Sequence, residues 1–173
     1  MISAMRKVII LIALCAVVAA GCSCHTGVTP ENKQAKKEKN PQASLTHYHY
    51  SRHGMVAQPL DDYELNLVDD GTVTLYVGHA YTAPETSEDT VKVDRDVLIQ
   101  VAELIDLHKM YQYKASYKPK FEVLDGESWH YEASYDDGTY LHSGGSNAGP
   151  DGSGFKAIGQ LLDSCYTNAK KKK

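Results

Sequence analysis

Tyr63–Val77, YELNLVDDGTVTLYV, reads as one β-hairpin. Tyr63, Leu65 and Leu67 alternate with polar residues at period two, and Val73, Leu75 and Val77 return at the same period. Successive side chains of a strand point to opposite faces, so each run buries one face and leaves the other wet. Between the runs, Asp69-Asp70-Gly71 supplies turn chemistry, and glycine takes the positive φ that a tight hairpin needs. A sheet with one apolar face needs a covering layer.

Two helices supply that layer. Val97, Leu98, Val101, Leu104 and Ile105 recur as one apolar stripe at helical spacing. Asp94 suits the N-cap, Val93 suits a staple onto Leu98, and His108 and Lys109 suit the last turn. Near the end of the chain, Phe155, Ile158, Leu161, Leu162 and Cys165 form a second stripe, with Ser153 or Asp151 as cap.

More strands complete the sheet. In Leu45–Arg52 (LTHYHYSR), Tyr48 and Tyr50 share one face while His47 and His49 share the other. Tyr81–Thr90 reads as an exposed loop, and Phe121–Leu124 as a short strand. Trp129, Tyr131, Ala133 and Tyr135 alternate on one face of another strand. Asp136-Asp137-Gly138 turns it, Thr139–Ser143 returns, and the glycine-rich segment 144–152 leads into the closing helix. The expected fold is α+β, an antiparallel sheet built from hairpins with two helices packed on one face. The repeated Asp-Asp-Gly turns raise a duplicated ββα unit, although the stripe residues around the two turns align poorly.

Composition divides the chain of 173 residues into three parts. Arg6 and Lys7 precede an uncharged apolar run, Val8–Ala20, too short for a bilayer core, which takes roughly 20 residues. That run suits the h-region of a signal sequence, 1–21. Residues 22–43 hold two prolines and many Lys, Asn and Gln, with almost nothing to bury, so they read as a tether. A flexible coil of that length reaches roughly 25 Å. All 12 tyrosines lie beyond it, and residues 44–173 form a single domain. From Ser44 to Ala169 there are 8 Lys plus Arg against 20 Asp plus Glu, a net charge near −12. Such a body repels phosphate backbones and argues against nucleic acid as a partner. Lys170–Lys173 form a basic tail, either a solvated helix end or a contact for anionic envelope polymers.

Ala19-Ala20-Gly21 directly precedes Cys22, and this arrangement resembles a bacterial lipobox, although the usual Leu three residues before the cysteine is Ala19 here. The resemblance implies a lipoprotein: Cys22 becomes the mature N-terminus, acylated on its thiol and its amino group. One acyl chain alone binds a membrane only marginally, so several are needed for a stable anchor. Ser23 after the cysteine points, by the same resemblance, to the outer membrane of a Gram-negative envelope. The implied location is a cell membrane, lipid-anchored, with the domain outside the cytoplasm. Cys24 and Cys165 are then the remaining cysteines; they either form a bridge in an oxidising envelope or leave Cys165 as a buried thiol on the helix stripe.

Several groups invite a chemical reading. His47 and His49 share a strand face, a geometry used by some zinc and copper sites, with His53 as third ligand if the strand bends at Gly54. A polar strand face without metal explains them equally, and no cofactor is expected. Gly144–Pro150 runs toward a helix N-terminus, where an anion can bind, yet no phosphate-loop lysine follows. Ser143, Ser146 and His142 lack a nucleophile elbow. Tyr111, Tyr113 and Tyr117 interleave with lysines; with Trp129 and Asn147 they form a candidate ligand surface for an envelope protein or glycan. The competing reading has these rings covering the sheet edge while the lysines stay solvated. Asp125, Gly126, Trp129, Asp137, Gly138, Gly145, Ser146, Asn147 and Pro150 resemble a pattern in small bacterial lipoprotein domains of unknown function, which implies no catalytic residue. The expected function is a non-catalytic binding or accessory domain in the envelope. The alternatives are a small hydrolase or metal-dependent enzyme, and a structural envelope-assembly protein.

Overall fold

A computed structural model describes residues 43–55, 59–79, 90–121, 123 and 126–172. The chain divides into two units, Met1–Ala35 and Lys36–Lys173, and every described residue belongs to the second. The signal, Cys22 and most of the expected tether lie outside the described residues.

Seven strands form one sheet among these residues: β1 Leu45–His53, β2 Pro59–Leu67, β3 Val73–His79, β4 Thr90–Val93, β5 Ser116–Tyr117, β6 Ser128–Tyr135 and β7 Tyr140–Ser146. The order is β4-β3-β2-β1-β6-β7-β5. All neighbours are antiparallel except the two-residue β5, which runs parallel to β7. Helices α1 (Asp96–Leu107) and α2 (Ser153–Lys171) complete an α+β fold. No helix among the described residues is long and apolar enough to cross a membrane.

The alternations place the core as the sequence implies. Tyr48, Leu65, Leu75, Tyr131 and Ala133 are fully buried, and so are Val101 and Ile105 of α1 and Ile158 and Leu162 of α2. Leu161 and Cys165 flank this core half-buried. Helix starts are held by aspartates just outside them. Asp94 Oδ1 accepts from the Asp96 N–H at 3.0 Å, and Asp151 Oδ1 accepts from the Ser153 N–H at 3.0 Å. His108 caps the end of α1, where its N–H donates to the Leu104 carbonyl, and Lys109 follows with φ at 53°.

The two Asp-Asp-Gly turns are copies of one device. Asp70 Oδ1 accepts from the Thr72 N–H at 2.8 Å, and Asp137 Oδ1 accepts from the Thr139 N–H at 2.8 Å. Gly71 and Gly138 sit at φ 81° and 79°, a region that other residues enter only at a steric cost. Their settings differ, since one turn joins β2 to β3 and the other joins β6 to β7. Four strands precede α1 and three precede α2, so the repeated turns do not mark a repeated ββα unit.

Three segments depart from the expected elements. Thr90 opens β4, which pairs with β3; residues 81–89 of the expected loop lie outside the description. Phe121 sits in a bend, 83% exposed, and not in a strand; Glu122, Leu124 and Asp125 are outside the description. β7 continues past Ser143 to Ser146, because the β6 ladder runs on through His130↔Gly144, Trp129↔Gly145 and Ser128↔Ser146, and β5 pairs with the two glycines from the far side.

Tyr48 and Tyr131 are 0% exposed, and their hydroxyls have no hydrogen-bond partner among the described residues. Burial pushes both phenols well above their usual pKa. A buried hydroxyl without a partner costs stability. Tyr131→Phe and Tyr48→Phe should each raise the unfolding free energy by about 1 kcal/mol, a melting shift of about 4 °C for a domain this size. Thermal denaturation of the two variants measures this, and a loss of stability would show that the hydroxyls are bonded.

Candidate functional site

The inward phase of three strands ends in polar side chains. Tyr48 and Tyr50 lead to Arg52 on β1, Leu65 and Tyr63 lead back to Asp61 on β2, and Leu75 and Val77 lead to His79 on β3. These positions meet at one end of the sheet, through the pairs Arg52↔Asp61 and Asp61↔His79. Above them α2 presents Phe155, Lys156, Gln160 and Asp163, and the space between is a cleft of about 400 Å³. Its floor is aromatic: the rings of Tyr50 and Phe155 stack at 4.4 Å and 16°.

A continuous chain of contacts fixes the polar wall. Arg52 Nη1 reaches Glu127 Oε2 at 3.1 Å, and Arg52 Nη2 reaches Asp61 Oδ2 at 2.7 Å. His79 lies between two carboxylates, with Nδ1 3.2 Å from Asp61 and Nε2 3.2 Å from Asp163. The Tyr63 hydroxyl donates to Asp163 Oδ2 at 3.3 Å. Apart from Tyr63, which is buried, these side chains are partly solvated, so each ion pair contributes roughly 0–1 kcal/mol; their larger effect is to hold donors and acceptors in fixed positions. Burial opposes the charge of Arg52, but hydrogen bonds and attraction from Asp61 and Glu127 hold its pKa above the usual value. Burial raises the Tyr50 phenol to about 12. Burial and Asp163 raise Tyr63 further. Both hydroxyls therefore stay protonated near neutral pH.

The opposite face of the sheet carries His47 and His49, as their alternation requires. They face partners on β2: His47 Nδ1 is 2.6 Å from Asn66 Oδ1, and His49 Nε2 is 3.1 Å from Asp62 Oδ1. Their ring centroids are 6.5 Å apart. His53 sits beyond a register shift at the end of β1 and is exposed. The same face holds His130, 2.7 Å from Glu132, and His142, stacked on Tyr140 at 5.6 Å. Among the described residues, no three His, Cys, Asp or Glu side chains are grouped to hold a metal ion. Ser143 and His142 point to opposite faces; Ser143 is buried and its Oγ donates to the Lys114 carbonyl at 2.6 Å.

Tyr113, Tyr117 and Trp129 gather around Phe155. Tyr113 meets it edge-on at 5.8 Å, Trp129 meets it at 5.2 Å, and Tyr117 lies 5.7 Å from Trp129. Tyr111 stands apart and exposed, and Lys114, Lys118 and Lys120 are exposed too. The rings of Tyr113 and Trp129 thus pack on Phe155, and the lysines between them are exposed. Asn147 stands at φ 51°, and its side-chain oxygen accepts from the Glu127 N–H at 2.9 Å. A Cβ on Gly126 would collide with that side chain. Trp129 Nε1 donates to the Ala148 carbonyl at 2.8 Å, so the glycine-rich segment closes over the indole.

Arg52, Asp61, Tyr63, His79 and Asp163 were absent from the candidates read from sequence. The available signal was a polar residue, Arg52, Asp61 or His79, continuing the inward phase at the same end of three strands.

His49 offers a pH test. Its hydrogen bond to Asp62 raises its pKa above 6.5, against the opposing effect of burial. A raised folded-state pKa gives stability that is present in full below 6.5 and lost as pH rises through the folded value. His49→Asn should therefore cost about 0.5 kcal/mol at pH 5.5 and near nothing at pH 8.5. Denaturant titration at both values measures it; an equal cost at each would contradict the pairing.

No protein-family model, no curated protein and no solved structure matches this chain.

Proposed function

We propose that this chain is a lipid-anchored cell-envelope protein, held in the membrane through Cys22, whose α+β domain binds a polar ligand or partner in the α2 cleft without catalysis. The lipobox-like residues Ala19–Cys22 support the anchor, and Ser23 favours the outer membrane. The observation that carries the binding reading is the cleft itself: an aromatic floor beside polar groups already fixed by one another. A site of a few hundred Å³ with converging polar groups is where ligands bind most often, and preorganised groups lose little entropy on binding.

The cleft also lies where an anchored domain would present it. The chain enters the sheet at Ser44, whose N–H donates to Asp136 Oδ1 at 2.9 Å and whose carbonyl accepts from the Asp136 N–H at 3.0 Å. Arg52 stands eight strand residues further on, about 26 Å at 3.3 Å per residue. The recognition groups thus sit at the end of the sheet away from the point of attachment. Envelope glycans and envelope proteins both offer the hydroxyl, amide and carboxylate groups that Arg52, Lys156, Gln160 and Asp163 would meet.

Photocrosslinking in intact cells tests this reading. A photoreactive residue at Gln160 should capture one envelope component, and one at the exposed Ile99 of α1 should not. Combining Gln160 labelling with Asp61→Asn should reduce capture several-fold. Equal capture from Gln160 and Ile99 would contradict the cleft. In parallel, Cys22→Ser should move the protein from the membrane pellet to the soluble fraction; unchanged pelleting would contradict the anchor.

A further inference from the structure

β4 ends the sheet. Its strand neighbour among the described residues is β3, and its outer edge has no strand partner there. An open edge presents backbone N–H and C=O groups in the geometry that another strand needs. α2 runs alongside. Cys165, Asn168, Ala169 and Lys172 from its last turns face Thr90–Asp94 across a groove of about 730 Å³. Val93, Cys165 and Ala169 are half-buried against the core and give the groove an apolar wall. Val91 and Val97, 2% and 5% exposed, close its base. Lys92 and Lys172 line the groove against a single carboxylate, Asp94, in a domain that is otherwise strongly acidic.

Peptides that bind as an added strand draw affinity from main-chain hydrogen bonds. They draw specificity from alternate side chains entering neighbouring pockets. An open strand edge bordered by a helix supplies both. The edge takes the backbone, and the space between edge and helix takes every second side chain. We propose that the β4–α2 groove binds an extended peptide segment of a partner protein by strand addition to β4. Apolar residues at alternate positions lie against Val93, Cys165 and Ala169, and the acidic residues between them, which point to the other face of the sheet, meet Lys92. This surface is separate from the cleft, which uses the N-terminal half of α2, so either site can fail while the other stands.

The probe is an acetylated, amidated Glu-Val-Glu-Val-Glu peptide, titrated into the full-length protein in detergent micelles and followed by isothermal titration calorimetry. Its counterpart carries N-methyl groups on both valine amides, which removes strand hydrogen bonds and keeps the charge and the side chains. The parent peptide should bind saturably. The methylated peptide should bind at least about tenfold more weakly, the scale of one or two lost hydrogen bonds. Ala169→Trp, which fills the groove, should abolish binding. Lys92→Glu, at an exposed position, should weaken it about tenfold, and Lys156→Glu in the cleft should leave it unchanged. Equal affinity for the methylated peptide, no effect of Lys92→Glu, or no saturable binding up to millimolar peptide would each overturn the proposal.

Discussion

Phe155 is met by four aromatic rings. Tyr50 stacks on it at 4.4 Å, Trp129 lies at 5.2 Å, Tyr131 at 5.6 Å and Tyr113 at 5.8 Å. Aromatic side chains bury much area, and their pairwise geometry adds about 0.5–1.5 kcal/mol per contact. Phe155 lies in the first turn of α2, so this cluster seats the helix on β1 and β6. The position of everything that α2 carries follows from that seating. Lys156, Gln160 and Asp163 reach the cleft because Phe155 and Ile158 point into the core. At the far end of the same helix, Ala169 and Lys172 reach the β4 groove because Leu162 and Cys165 keep the inward phase.

The polar network at the cleft is subordinate to this apolar seating. Apart from the buried Tyr63, its members are a quarter to about a half exposed, and pairs at that exposure contribute little stability each. What the network supplies is position. Asp61 is held by Arg52 and His79, and Asp163 by His79 and Tyr63, so neither carboxylate needs to be ordered by a ligand. The hydrogen bond of His108 to Ser153, 3.0 Å, adds a second tie between the end of α1 and the start of α2.

Much of this architecture was legible from periodicity. The 63–77 hairpin, the inward tyrosines of β1 and the stripes of α1 and α2 each depend on local alternation, which a single stretch displays. β4 was not legible, since TVKV is four residues long and becomes a strand through its register with β3. The run of β7 into Gly144 and Gly145 was hidden for a similar reason. Glycine has little strand preference, and the pairing comes from both sides, from Ser128, Trp129 and His130 on β6 and from Ser116 and Tyr117 on β5. His47 and His49 were correctly placed on one face, but their partners Asn66 and Asp62 follow from the β1–β2 register. The cleft was the hardest to read. It joins three strands to a helix, and its Tyr63–Asp163 contact spans 100 residues.

The most direct test of the claim that one aromatic cluster seats α2 is equilibrium denaturation of Phe155→Ala, followed by Trp129 emission. Trp129 is the one tryptophan in the chain and touches Phe155, so its emission reports on the cluster directly. The account predicts a loss of about 3–5 kcal/mol, the cost of emptying a large aromatic site in a core, with a red shift of the emission in the folded state. A loss below about 1 kcal/mol with unshifted emission would contradict it, and would show that α2 is held in place by other contacts.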